Sequence, residues 1–193
     1  HQSSAASDVY KRQVYKPYLE YIATKSKNEN ENKAELYNFI GTLNEIVGNY
    51  YKTLEFQKKC LSIRKKVLSV NYVELAKVYN AIAISYQSLT IYNKALEFQR
   101  KSLTIKEKKS INRVALANIY SNIGITYRYL KQYQKALEIQ KGCLSIRKEI
   151  LPSNHLDLAS TYMNIGNIYQ NLKNYNKALE FQKKCLTIRK KIL

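Results

Sequence analysis

Between Leu158 and Leu172, apolar and aromatic residues fall at Leu158, Tyr162, Ile165, Ile168, Tyr169 and Leu172, with mostly polar or small residues between them. Steps of three, four and seven residues return to one face of a helix, so this stretch predicts an amphipathic α-helix. The segment LKNY at 172–175 breaks the rhythm. Beyond it, Ala178, Phe181, Cys185, Leu186, Ile188 and Leu193 collect mainly along one side and predict a second helix. The alternation of a half-buried strand occurs nowhere in the chain.

The two-helix phrase recurs. ALEFQ at 178–182, ALEIQ at 136–140, ALEFQ at 95–99 and TLEFQ at 53–57 stand 42, 41 and 42 residues apart. Other positions keep the same register: Tyr50, Tyr92, Tyr133 and Tyr175; Leu61, Leu103, Leu144 and Leu186; Ile63, Ile105, Ile146 and Ile188; Ala34, Ala76, Ala117 and Ala159. Paired helices are predicted over 34–47 and 50–67, then 75–89 and 92–108, and onward at the same spacing. One hairpin cannot bury its apolar face alone, so stability is shared between stacked neighbours. Gly41, Ala83, Gly124 and Gly166 form a small-residue column in the first helices. Glycine costs about 1 kcal/mol inside a helix, so the column predicts that the partner helix passes close there.

Four units are read, at about 34–75, 76–116, 117–158 and 159–193, in an array over 33–193 that ends within a helical phrase. The first is worn, with Asn44 and Thr53 where later copies carry Tyr and Ala. Residues 14–32 read as a degenerate preceding helix (YKPYLEYIATK, 15–25) followed by the polar loop SKNENENK, and 1–13 as a non-native or disordered tail. The chain lacks an initiating Met and reads as a piece of something longer.

Tyr162, Ile165-Gly166, Tyr169, Ala178, Gln182 and Cys185 resemble the tetratricopeptide repeat, as do Tyr120, Ile123-Gly124, Tyr127, Ala136, Gln140 and Cys143, and Tyr79, Ile82-Ala83, Tyr86, Ala95, Gln99 and Ser102. The period exceeds the usual 34 residues. That spacing, with SNHLDLA at 153–159, resembles the kinesin light chain class, although Leu156 replaces its proline and Gln its second-helix aromatic. The resemblance implies an all-α, right-handed superhelix of helical hairpins, with second helices outside and first helices lining a concave groove. Its implied groove residues are Asn80, Gln87, Asn122, Arg128, Tyr129, Asn164, Asn167 and Gln170. Amides donate and accept, so they can hold a peptide backbone without demanding one sequence.

Charge and chemistry refine this picture. Net charge is +19, and two-thirds of the 33 lysines and arginines fall on the second helices. A basic ridge of this kind is usually a solvated face, and its alternative use is docking on a polyanion. The first helices are nearly neutral, and Lys77 and Arg128 are too few for a basic clamp on an acidic tail. Cys60, Cys143 and Cys185 share one column with Ser102, which predicts core packing rather than metal or redox chemistry. His1 and His155 pair with no ligand set, and no phosphate loop is present. Glu55, Glu97, Glu138 and Glu180 recur once per unit, a surface pattern rather than a catalytic pair.

The reading is a non-enzymatic, cytoplasmic protein–protein interaction scaffold that binds a peptide or protein segment in its groove. It expects no cofactor, no metal, no membrane, no small-molecule substrate and no nucleic acid. The alternatives are polyanion binding through the ridge, or a regulatory array fused to an enzyme domain. Phe181, Leu186 and Ile188 on the last helix predict a partly exposed apolar surface.

Overall fold

The structure is a computed structural model that describes residues 29–67, 72–108 and 112–191. The expected tail over 1–13 and preceding helix over 15–25 lie outside the described residues. Eight helices occur among the described residues: α1 (Glu29–Ile46), α2 (Tyr50–Val67), α3 (Tyr72–Ser88), α4 (Tyr92–Lys108), α5 (Arg113–Tyr129), α6 (Tyr133–Ile150), α7 (Leu156–Asn171) and α8 (Tyr175–Lys190). These bounds follow the predicted ones closely except at α1, which takes in the end of the stretch expected as loop. The chain divides into two compact units, residues 1–78 and 79–193, with the division inside α3.

Helices pair by sequence neighbourhood. The tightest packing joins α1 to α2, α5 to α6 and α7 to α8, followed by α6 to α7 and α4 to α5, while α5 also touches α7. In the second unit, Ile119, Ile123, Tyr127, Ala136, Leu137, Ile165, Ile168, Tyr169 and Ala178 form one core across consecutive hairpins. This is the shared burial that the repeat predicts.

Every turn inside a hairpin is built alike. One residue takes a left-handed conformation: Gly48 (φ 73°), Thr90 (φ 60°), Lys131 (φ 59°) and Lys173 (φ 59°). The N–H after it reaches back five residues, from Gln132 to the Tyr127 carbonyl (2.9 Å) and from Asn174 to the Tyr169 carbonyl (2.9 Å). This arrangement closes the helix end by satisfying carbonyls that have no helical partner. Glycine fits it without strain, whereas the β-branched Thr90 does not.

The small-residue column faces a buried glutamine from the partner helix. Gln57, Gln99 and Gln140 are all buried, and Gln182 is half-buried. A Cβ at Gly124 would fall 2.6 Å from Gln140 Nε2 and 2.7 Å from its Cγ. At Gly166 it would meet Gln182 Cγ at 3.2 Å and the Ala178 carbonyl at 3.3 Å, whereas at Gly41 the nearest atom is 3.5 Å away. Gln140 Nε2 donates to the Ser121 carbonyl at 2.9 Å. Opposite Ala83, neither amide atom of Gln99 finds a partner among the described residues. The aromatic absent from the glutamine position sits one residue earlier: Phe98 packs on Tyr79 and Tyr86, and Phe181 on Tyr162 and Tyr169, at centroid distances of 5.6–6.1 Å.

A cation near the end of a second helix ties it to the next first helix. In the first unit, Arg64 Nη1 lies 2.5 Å from Glu74 Oε2, and Lys77 also reaches Glu74. Burial opposes the Glu74 charge, but the hydrogen bonds of Lys77 and Arg64 prevail and hold its carboxyl below the usual range. In the second unit, Arg147 is 5% exposed, so it leaves the ridge where sequence counting placed it. Its Nη1 donates to the Asp157 carbonyl (2.8 Å) and Thr161 Oγ1 (2.7 Å), and its Nη2 to Asn118 Oδ1 (2.8 Å). At the last helix Ile188 is buried, while Leu179 and Leu186 are 53% and 51% exposed.

Two substitutions probe the close approach. Gly41→Ala should stabilise the protein by up to about 1 kcal/mol, because helix propensity is gained and the contact is ordinary. Gly124→Ala should cost about 1–3 kcal/mol by overpacking against Gln140. Urea denaturation of both variants reads the difference, and equal effects would remove the explanation. For the turn, Thr90→Gly should stabilise by about 0.5–1 kcal/mol as left-handed strain is relieved. An unchanged or lowered melting temperature would show that Thr90 is not strained.

Candidate peptide-binding face

In the second unit, the first helices α3, α5 and α7 each leave one stripe half-buried or exposed. On α5 the stripe is Asn118, Asn122, Ile125 and Tyr129, at steps of four, three and four residues. These residues are half-buried or exposed, in contrast to buried Ala117, Ile119, Ile123, Gly124 and Tyr127. All eight sequence-predicted residues lie within this unit, on these three helices.

Three of them are hydrogen-bonded within the fold. Asn122 Nδ2 donates to Asn80 Oδ1 at 3.5 Å. Gln87 Nε2 donates to Thr126 Oγ1 at 2.9 Å and, more weakly, to the Asn122 carbonyl at 3.4 Å. These contacts bridge successive first helices, so Asn80, Gln87 and Asn122 help to set the spacing of the face. Asn164 and Asn167 are half-buried, and Gln170 is exposed, one repeat further on. Arg128 and Tyr129 make a separate group. The Arg128 guanidinium lies 4.5 Å from the Tyr129 ring centroid. Tyr129, 48% exposed, stacks on Tyr92 at 4.8 Å and 2° between ring planes.

The structure adds residues that sequence reasoning left out. Ile84 and Ile125 occupy equivalent half-buried places on α3 and α5 and give the face an apolar strip. Asn118 belongs to the stripe but is engaged by Arg147. The signal for the isoleucines was present, since they fall one residue after the small Ala83 and Gly124. Isoleucine is more often buried, so residue type alone does not mark them as part of an accessible face.

The opposite side uses much of its charge internally. Lys59, Lys101 and Lys184 hydrogen-bond Glu55, Glu97 and Glu180 four residues away and lie 4.8–5.0 Å from the rings of Phe56, Phe98 and Phe181. These hydrogen bonds, foremost, hold the Glu55, Glu97 and Glu180 carboxyls below their usual range. Lys135 and Lys177 sit over Tyr127 and Tyr169, and Arg100 donates to Tyr127 Oη at 2.8 Å. Cys60, Cys143 and Cys185 are free and buried, and burial pushes the Cys60 and Cys143 thiols up, which makes them poor nucleophiles. Among the described residues, no cluster of His, Cys, Asp and Glu could hold a metal, and no helix is long and apolar enough to cross a membrane.

Comparison with known proteins bears on the fold and the family. No curated protein matches the chain. Among solved structures, BtubC (BKLC) from P. vanneervenii superposes with a TM-score of 0.81 at 19% identity, over 98% of this chain and 76% of that one. The apo form of RapI gives 0.78 at 24% identity, over 96% of this chain and 64% of that one. The nearly identical TPR-like repeats of a putative kinesin light chain from Podosopora anserina give 0.72 at 16% identity, over 100% of this chain and 98% of that one. At these identities the likeness concerns the fold, an all-α repeat solenoid. The tetratricopeptide repeat family model matches residues 32–108 and 115–191, and the chain belongs to that family.

Proposed function

We propose that this protein is a non-enzymatic scaffold that binds an extended or helical peptide segment on the first-helix face of its second unit. The observation that carries the reading is the chemical contrast between the two sides. The first-helix face is nearly neutral and amide-rich, with an apolar strip at Ile84 and Ile125 and a stacked aromatic pair at Tyr92 and Tyr129. Such a surface can hold a peptide backbone through Asn164, Asn167 and Gln170 while side chains rest on the isoleucines. Tyrosine presents a large contact area at small entropic cost. The free, buried cysteines fit a reducing compartment, which supports a cytoplasmic setting. Polyanion binding through the ridge is less favoured, because Lys59, Lys101, Lys184, Lys135 and Lys177 already lie over rings of the fold and Arg147 is buried against Thr161 and the Asp157 carbonyl.

Affinity capture with quantitative mass spectrometry separates the two uses. The variant Asn122→Ala with Asn164→Ala should weaken recovery of specific partners about tenfold or more, and Lys141→Glu with Lys183→Glu and Lys190→Glu should leave it within about twofold. Circular dichroism checks that each variant remains folded. Under ridge binding the lysine changes would dominate, and log K would fall by roughly 0.7–0.9 per phosphate contact for each log unit of salt. That pattern would contradict the proposal.

A further inference from the structure

We propose that the α1–α2 hairpin of the first unit carries a site for a phosphate dianion, either the free ion or a small phosphate monoester. The site is independent of the peptide-binding face, which lies in the second unit. A cleft of about 310 Å³ opens between the start of α1 and the end of α2. Asn30, Lys33 and Tyr37 line it from α1, and Lys59, Ser62 and Lys66 from α2. On each helix these residues fall at steps of three and four, so two stripes meet across the cleft.

The cleft exists because the repeat pattern breaks there. Lys33 occupies the column that holds Leu75, Leu116 and Leu158 in the later repeats. In the fourth repeat, Leu158 is 3% exposed and packs with Ile188, the counterpart of Ile63. In the first repeat that leucine is absent, Lys33 is exposed, and half-buried Ile63 borders the open space. An ammonium here forfeits the burial that a leucine would gain, so the position serves charge rather than packing.

That charge is not cancelled within the hairpin. Lys33 and Lys66 make no ion pair or hydrogen bond with a described residue. Glu31 and Glu35 stand two residues either side of Lys33, about half a turn round α1 from it, and Glu45 is at the other end of the helix. Glu55 is taken up by Lys59 at 2.6 Å, and this pair fixes the third ammonium 5.9 Å from the Tyr37 ring centroid. Ser62 already donates to the Lys59 carbonyl at 2.8 Å. Three ammoniums beside a phenol offer more donors than the two oxygens of a carboxylate need, whereas the three oxygens of a phosphate group can use them. The volume lies at the small end of ligand cavities, which suits a small phosphate compound rather than a polymer.

Isothermal titration calorimetry of the full chain with inorganic phosphate and with glycerol 3-phosphate, at an ionic strength held near roughly 0.15 M, tests the site. Saturable binding at a single site is expected, and the tighter of the two probes identifies the source, free ion or ester. Lys33→Leu restores the leucine of the other repeats, so it should be at least as stable in urea as the natural chain. It should bind about tenfold more weakly or worse, as for one lost charge-assisted hydrogen bond. Lys66→Gln should weaken binding by a similar factor, and Lys141→Glu with Lys183→Glu, in the second unit, should leave it within about twofold. Absence of saturable binding would overturn the proposal and leave Lys33 as drift in a worn repeat. So would binding that Lys33→Leu leaves intact. Binding that falls equally with the Lys141 and Lys183 changes would overturn it too, because phosphate would then follow the net charge of +19 rather than the cleft.

Discussion

The approach of each second helix to the small residue of its first helix sets the geometry on which the rest depends. At Gly124 the gap is filled by the amide of Gln140, closer than any Cβ would allow. In the second and fourth repeats glutamine likewise takes the position at the crossing, and a ring stands one residue earlier, at Phe98 and Phe181, between two tyrosines of the first helix. That ring in turn supports the lysines above it, Lys101 and Lys184, and these draw in Glu97 and Glu180. One tight crossing thus propagates outward into an aromatic layer and a charged layer. In the third repeat, Ile139 and Gly142 stand where the ring and lysine would be, and Tyr120 packs on Gly142 instead, its ring about 3.7 Å from where a Cβ would lie.

The same layering separates the two sides of the second unit chemically. Cations gather on the second helices, where rings and carboxylates of the fold hold many of them. The first helices carry amides, two half-buried isoleucines and Tyr129, which stacks on Tyr92 at the start of α4. Exposed ion pairs of this sort are individually worth little, generally under 1 kcal/mol. Their consequence is the placement of charge: the cations gather on the second helices and the first-helix face stays nearly neutral.

Much of the fold was legible because it is periodic. A column at intervals of 41 and 42 residues reveals helix pairs, turns and the tight crossing without any coordinates. What could not be read depends on reach rather than register. Gln140 looked like a departure from the repeat pattern, yet it is fully buried, because glycine opposite leaves it a slot and Ser121 an acceptor. Arg147 shares a column with Arg64 and Arg189 and counted as surface charge. Its length carries it under α7, whereas Arg189 is exposed. Thr90, Lys131 and Lys173 conceal left-handed turns that only Gly48 announced. For the face itself, the residue types were legible, but the bonds of Asn122 to Asn80 and of Gln87 to Thr126 arise from how successive hairpins stack.

A double-mutant cycle of Gly124→Ala with Gln140→Ala tests the central constraint most directly. If the crossing is closed by glutamine against glycine, Gly124→Ala is destabilising in the natural chain and neutral or stabilising once Gln140 is truncated. The coupling should then exceed about 1 kcal/mol, well beyond the 0.3–0.5 kcal/mol typical of independent sites. Additive effects in equilibrium denaturation would contradict the account, because the two residues would then not be competing for the same space.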